Sequence, residues 1–223
     1  MGPEATVDFF REIVNLTPAH IDQDHVPVLI YSNPRMPDRA SAILYGAEDP
    51  LPYLREAARV LERGGAGLIT IPCNTAHYYL DELRAAVRIP VLNMIEEACG
   101  ALRSEYPAAR TAGLLATTGT VRMRLYEDLL EKAGVSVITP PDEEQDQVQL
   151  AIDRIKAGAP RDEVHPILKA ACCNFMSRGA DLVILGCTEI PLVLDSTDPA
   201  CPILNPTRIL AQAAIDWALG KRL

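Results

Sequence analysis

Gly65-Ala66-Gly67-Leu68-Ile69-Thr70-Ile71-Pro72-Cys73-Asn74-Thr75 and Gly179-Ala180-Asp181-Leu182-Val183-Ile184-Leu185-Gly186-Cys187-Thr188-Glu189 are two versions of one stretch. Each opens on glycine, continues as a short apolar run and reaches a cysteine followed by small hydroxyl or amide residues. The likeness extends outward. Pro90-Val91-Leu92-Asn93 answers to Pro202-Ile203-Leu204-Asn205, and Val26-Pro27-Val28-Leu29-Ile30 to Val135-Ser136-Val137-Ile138-Thr139. A duplicated half-domain with one thiol per copy can place two thiols face to face across a pseudo-twofold axis. That geometry suits taking a proton from one face of a carbon and returning one to the other.

The pattern around the repeat is α/β. Apolar runs at 26–31, 67–71, 90–93, 111–116, 135–139, 181–185 and 202–204 read as strands. They are nearly continuous in Val, Ile and Leu, as in parallel sheets covered on both faces. Helical periodicity fills 5–16, 50–63, 75–86, 95–105, 121–132, 146–157, 162–177 and 206–219. Gly64-Gly65, Gly134, Gly158 and Gly179 stop four of these helices. The predicted class is α/β with parallel sheets, in two related halves. Residues 1–96 with 206–223 form the first domain and 97–205 the second.

One strand is unmatched. The second copy has 111–116 just before Gly119, whereas the first has only Met1 before the corresponding Gly2. The reading is that a first strand is missing, through a start set too far downstream or a trimmed sequence. If the chain is whole, a gap is expected beside the first cysteine strand.

Composition excludes several functions. A net charge of −9 over 223 residues argues against nucleic-acid or anionic-membrane partners. It also means that an acidic substrate needs local cations. No run approaches a membrane span, and the chain opens without a signal-peptide pattern, so a cytoplasmic location is expected. Six cysteines without an export signal read as free thiols rather than disulfides. His20, His25, His77 and His165 are scattered, and no Cys-x-x-Cys pair occurs, so no metal is expected. Gly64-Gly65-Ala66-Gly67 precedes a strand instead of opening a helix, which makes it a helix stop and not a phosphate cradle. None of the four lysines sits in a convincing pyridoxal-phosphate context, so no cofactor is expected.

Cys73 and Cys187 are the candidate catalytic pair. Each stands where a strand gives way to a helix, where free backbone N–H groups and a helix dipole favour thiolate. One thiol can act as base while the other stays protonated as acid. Cys99, Cys172, Cys173 and Cys201 lack such a turn and read as core residues. Asn74, Thr75 and Thr188, with the N–H groups after each cysteine, suit an α-carboxylate. Thr117 ends a strand at the same sheet edge and adds a hydroxyl.

Pro72-Cys73-Asn74-Thr75-Ala76-His77 and Gly186-Cys187-Thr188-Glu189-Ile190-Pro191 resemble the two signature motifs of the aspartate/glutamate racemase family. Met1-Gly2-Pro3-Glu4-Ala5-Thr6 resembles the turn after that family's first strand. Ser32-Asn33-Pro34-Arg35-Met36-Pro37-Asp38-Arg39 resembles the loop of its aspartate racemases. The resemblance covers essentially the whole chain. It implies two pseudo-symmetric α/β domains, each a parallel sheet flanked by helices, with the site in the cleft between them, and cofactor-independent racemisation of an amino-acid substrate by two cysteines in a homodimer. It also implies that Arg39, and secondarily Lys156, hold the substrate's side-chain carboxylate, for which arginine offers a two-pronged match. The absent first strand departs from the family pattern. A glutamate or broad-specificity racemase is the nearest alternative. Next come a related decarboxylase or maleate isomerase, and a non-catalytic amino-acid-binding protein.

Overall fold

A computed structural model of the chain describes residues 2–194 and 201–221. Met1, the first residue of the opening turn noted above, lies outside them. The first half contains α1 (Pro3–Leu16), α2 (Arg39–Tyr45), α3 (Leu51–Arg63), α4 (Leu80–Arg84) and α5 (Met94–Glu105). There follow β1 (Thr111–Ala116), α6 (Thr118–Arg122), α7 (Glu127–Lys132), β2 (Ser136–Ile138), α8 (Asp142–Lys156) and α9 (Arg161–Ser177). The chain then enters β3 (Leu182–Gly186), β4 (Ile203–Leu204) and α10 (Pro206–Ala218).

The second half is built on one parallel sheet in the order β2-β1-β3-β4. Alternate side chains of the two central strands face opposite layers of helices, as the period-2 geometry of a strand requires. Leu115, Val183 and Leu185 pack with Val148 and Ile152 of α8 and Leu168 and Phe175 of α9. Leu114, Ala116, Leu182 and Ile184 pack with Leu102 of α5, Tyr126, and Leu130 of α7. Asp181 sets the entry to the sheet: one carboxylate oxygen accepts the N–H groups of Arg110 at 2.7 Å and Thr111 at 2.9 Å. Pairing Ala116 with Gly186 brings the ends of β1 and β3 to one edge, so Thr117 and Cys187 leave the sheet side by side.

The first half departs from expectation. Residues 26–31 form no strand, and 67–71 and 90–93 reduce to a single parallel bridge, Ile69 to Val91. Two backbone bonds hold it, Ile69 N–H to Pro90 C=O at 2.9 Å and Leu92 N–H to Ile69 C=O at 3.0 Å. The reason is visible in the second half. There β1 lies between β2 and β3 and pairs with both. No strand among the described residues lies between 26–31 and 67–71, so the two segments cannot hydrogen-bond through a common neighbour. An apolar groove runs there instead, lined by Phe9, Ile13, Leu54, Leu83 and the two segments themselves. Leu29 and Ile30 are left 52% and 46% exposed, although their sequence is that of a buried strand. Packing of α3 on Ile69, Ile71 and Val91, and of α1 on α10, holds the first half together.

The helices also differ in places, and α8 starts at Asp142 where 146 was expected. The 75–86 prediction is a 3-10 turn at Thr75–Tyr79 followed by α4. The 121–132 prediction breaks into α6 and α7, with Arg124 at φ 52° between them. Helix α2 was not anticipated; Asp38 caps it by accepting the Ser41 N–H at 2.7 Å. The glycine stops hold: Gly158 ends α8 at φ 81° and Gly179 follows α9 at φ 87°, conformations that a side chain resists.

Close approach makes Gly113 of β1 a sensitive position. A Cβ there would lie 2.6 Å from Phe175 Cγ. Gly113→Val should destabilise the fold by roughly 1–3 kcal/mol or more, read as a lower urea midpoint.

Candidate active site

Cys73 and Cys187 line one pocket together with Asp38, Arg39, Asn74, Thr75, Thr117, Lys156, Thr188 and Glu189. All eight residues singled out in the sequence are therefore brought together. Both thiols are nearly sealed, at 7% and 5% exposure.

The first cysteine turn is held from below. His77 Nδ1 lies 2.9 Å from the Cys73 carbonyl, and His77 Nε2 accepts the Met94 N–H at 3.0 Å. Because Nε2 accepts, the proton sits on Nδ1 and the ring is neutral. Burial depresses its basicity accordingly. His77 thus ties the Cys73 turn to the start of α5, a structural task in keeping with its position away from the pocket lining.

A second set of bonds joins the two halves. Thr75, Thr117 and Thr120 bring their hydroxyl oxygens together in a triangle with all three edges at 3.0 Å. Thr117 also caps α6 by accepting the Thr120 N–H at 3.2 Å. Tyr126 donates its hydroxyl to Asn74 Oδ1 at 2.5 Å. That bond fixes the amide's orientation and leaves Asn74 Nδ2 buried with no partner among the described residues. It is a preset donor beside the pocket. Gly119 permits this junction: a Cβ there would meet Ala40 Cβ at 3.0 Å and Thr75 Cγ2 at 3.3 Å.

The two thiols meet opposite electrostatics. Burial, and to a smaller extent the Glu189 carboxylate, oppose ionisation of Cys73, while the positive charge of the chain's N-terminus, the Arg39 guanidinium and the Ala76 N–H favour it, and its pKa falls below the ordinary thiol value. Arg39 is anchored by donating to the Pro37 carbonyl at 2.8 Å, and its Nε is buried without a partner among the described residues. Cys187 moves the other way. Burial and the neighbouring Glu189 carboxylate push its pKa well up, against the pull of Lys156. Cys187 Sγ donates to Glu189 Oε2 at 3.1 Å, and Thr188 Oγ1 donates to the same oxygen at 3.1 Å.

The anticipated helix dipoles need correction. The elements after the cysteines are short 3-10 turns, Thr75–Tyr79 and Ile190–Leu192. Such turns align too few peptide dipoles to act as a macrodipole. The positive charge of the chain's N-terminus, the Arg39 side chain and the Ala76 N–H bias Cys73 instead. Glu189 and Asp38 were in plain view within the quoted motifs, yet only the fold shows that they line the pocket.

Of the remaining cysteines, Cys99, Cys172 and Cys201 are buried as expected, while Cys173 is exposed on the outer face of α9. Burial pushes Cys99 and Cys172 up to about 12, so neither competes as a nucleophile. All six cysteines are free.

The family model described as Asp/Glu/Hydantoin racemase matches residues 1–214. The broad-specificity amino-acid racemase RacX of Bacillus subtilis is 30% identical, with 99% of this chain and 96% of that protein covered. An aspartate racemase of Picrophilus torridus superposes with a TM-score of 0.85 at 29% identity, covering 100% of this chain and 92% of that one. An aspartate racemase homologue from Pyrococcus horikoshii superposes with a TM-score of 0.76 at 26% identity, over 97% and 95% of the two chains. No helix among the described residues is long and apolar enough to cross a membrane.

Two outcomes follow from this geometry. Tyr126→Phe should cost about 1–3 kcal/mol in urea unfolding, because Asn74 Oδ1 loses its buried donor. Titrated by ultraviolet thiolate absorbance, the protein should show one cysteine ionising below the ordinary thiol range as pH rises. Cys73→Ser should remove that transition and Cys187→Ser should leave it.

Proposed function

We propose that this chain, which belongs to the Asp/Glu/Hydantoin racemase family, racemises aspartate by cofactor-independent proton transfer between two thiols. The observation that carries the reading is one pocket lined by Cys73, Cys187, Arg39 and Lys156. Two thiols supply a base and an acid. Two cations supply, within a chain of net charge −9, the local field that a dicarboxylate needs.

In this mechanism the substrate α-carboxylate is held by Asn74 Nδ2 and the backbone N–H groups beside the cysteines, with Thr75, Thr117 and Thr188 completing the polar wall. Arg39 pairs with the β-carboxylate, and Lys156 adds charge from the end of α8. The thiolate of one cysteine removes the Cα proton. The negative charge that spreads onto the α-carboxylate is stabilised by the surrounding donors. The thiol of the other cysteine then delivers its proton to the opposite face. One S–H bond forms, one breaks, and the configuration inverts with no net proton change.

A broad-specificity amino-acid racemase is the second reading, favoured by the 30% identity to RacX over 99% of this chain. The side-chain carboxylate separates the two. With Arg39 engaged, aspartate turns over well ahead of alanine; with Arg39 idle, the two are alike.

The test is proton NMR of L-aspartate in deuterated buffer, with chiral analysis of the product. Loss of the α-proton signal and appearance of deuterated D-aspartate without added cofactor are expected. Cys73→Ala and Cys187→Ala should each lower racemisation by at least about 10²–10⁴-fold, while one-sided proton exchange persists for one enantiomer in each. Full racemisation by either variant overturns the two-thiol mechanism. Turnover of other amino acids with inert aspartate overturns the substrate.

A further inference from the structure

The two cysteines are chemically equivalent in sequence but not in surroundings. Cys187 Sγ is a donor to Glu189 Oε2 at 3.1 Å. That bond exists only while the sulfur carries its proton. A thiolate at the same place would stand against a carboxylate that is itself 4% exposed, and two buried anions at that separation repel strongly. Glu189 also opposes a charge on Cys73, but no carboxylate among the described residues is hydrogen-bonded to that sulfur, and the Arg39 guanidinium favours its ionisation.

We propose that Glu189 is a positioning residue that holds Cys187 as the protonated thiol, so that the resting enzyme presents a single base, Cys73, and a single acid, Cys187. The proposal rests on the two-thiol reading above and assigns its starting state.

The charged groups around Cys187 come from every side of the pocket. Glu189 follows it in its own turn. Lys156 faces it from the end of α8. Asp38 and Arg39 stand at the start of α2, Cys73 and Tyr126 are the other titratable side chains near it among the described residues, and the positive charge of the chain's N-terminus acts on Glu189 and Cys73. Lys156 is the cation acting directly on Cys187, but it is shared: it also acts on Glu189 and Asp38, and its Nζ lies 3.4 Å from Asp153. Burial opposes the charge on Glu189, but the positive charge of the chain's N-terminus, the Cys187 S–H, Lys156 and the Thr188 hydroxyl favour it, and its pKa falls below the ordinary carboxylate value. The balance at Cys187 therefore leans to the thiol and at Cys73 to the thiolate, in keeping with their shifts in opposite directions.

This wiring has a consequence for turnover. When Cys73 takes the α-proton and Cys187 gives one up, the product state leaves a Cys187 thiolate beside Glu189. That state is the less stable of the two. It relaxes by moving one proton from Cys73 back to Cys187 through solvent, or by running the opposite enantiomer in reverse. Glu189 thus decides which enantiomer meets a ready enzyme.

The test is alkylation by iodoacetamide across a pH series, with the Cys73 and Cys187 peptides quantified separately by mass spectrometry. The two residues are similarly buried, at 7% and 5% exposure, and each midpoint is read from that cysteine's own pH profile, so ionisation is reported independently of access. In the unaltered protein Cys73 should react at a lower pH midpoint than Cys187. Glu189→Gln should lower the Cys187 midpoint, raising its reactivity about tenfold or more at a fixed pH below it, and move Cys73 less. Glu189→Asp, which keeps the carboxylate, should leave Cys187 the slower of the two. An unchanged Cys187 midpoint in Glu189→Gln, with Cys73 still reacting as in the unaltered protein, overturns the proposal. Should the Gln variant not fold, the order of the two cysteines in the unaltered protein decides, and Cys187 reacting first overturns it. Neither readout needs turnover, so failure to racemise aspartate is a separate result and leaves this one intact.

Discussion

The site depends on the triangle of threonine hydroxyls formed by Thr75, Thr117 and Thr120. Thr75 follows the first cysteine in its turn, and Thr117 ends the strand paired to the one that delivers the second. Joining these oxygens in a buried place fixes the two cysteine turns relative to each other. The bond from Tyr126 to Asn74 acts alongside it, from the layer beneath the sheet. Buried hydroxyls must find partners, and here they find each other across the junction. Gly119 supplies the clearance that allows the approach.

On that frame, charge does the differentiating. The protein is acidic overall, yet the pocket carries Arg39 on one side and Lys156 on the other. Arg39 is pinned to the backbone at Pro37 and cannot swing freely. Lys156 sits where α8 ends, with its charge spread among several acidic neighbours. One sulfur is therefore paired with a fixed cation and the other with a carboxylate. A two-base reaction needs such asymmetry, because two thiolates or two thiols in the resting state would leave either the acid or the base missing.

The pairing of Cys73 with Cys187, and the residues flanking each, are legible from the repeat. Arg39 and Lys156 come through resemblance to a family whose motifs this chain carries. The second-half sheet is equally legible, because its strands are buried on both faces and read as unbroken apolar runs. Residues 26–31 have the same composition and yet form no strand. A strand needs a neighbour for its backbone, and propensity cannot supply one. The split of 121–132 at Arg124 and the 3-10 turn after Asn74 escape periodicity for a related reason: local packing at the pocket overrides a weak helical preference.

By itself, the sequence determined the α/β class, the duplication, the two thiols and the family to which the chain belongs. These follow from apolar periodicity and from motifs whose residues are contiguous. The tertiary structure alone decided that Glu189 touches Cys187, that Asn74 Nδ2 has no partner among the described residues, that His77 is a neutral brace and that Arg39 favours ionisation of one thiol and not the other. Protonation is set by distances of a few ångströms and by the exclusion of water. Residues far apart in the chain meet at those distances only once the sheet has brought the ends of β1 and β3 to a common edge.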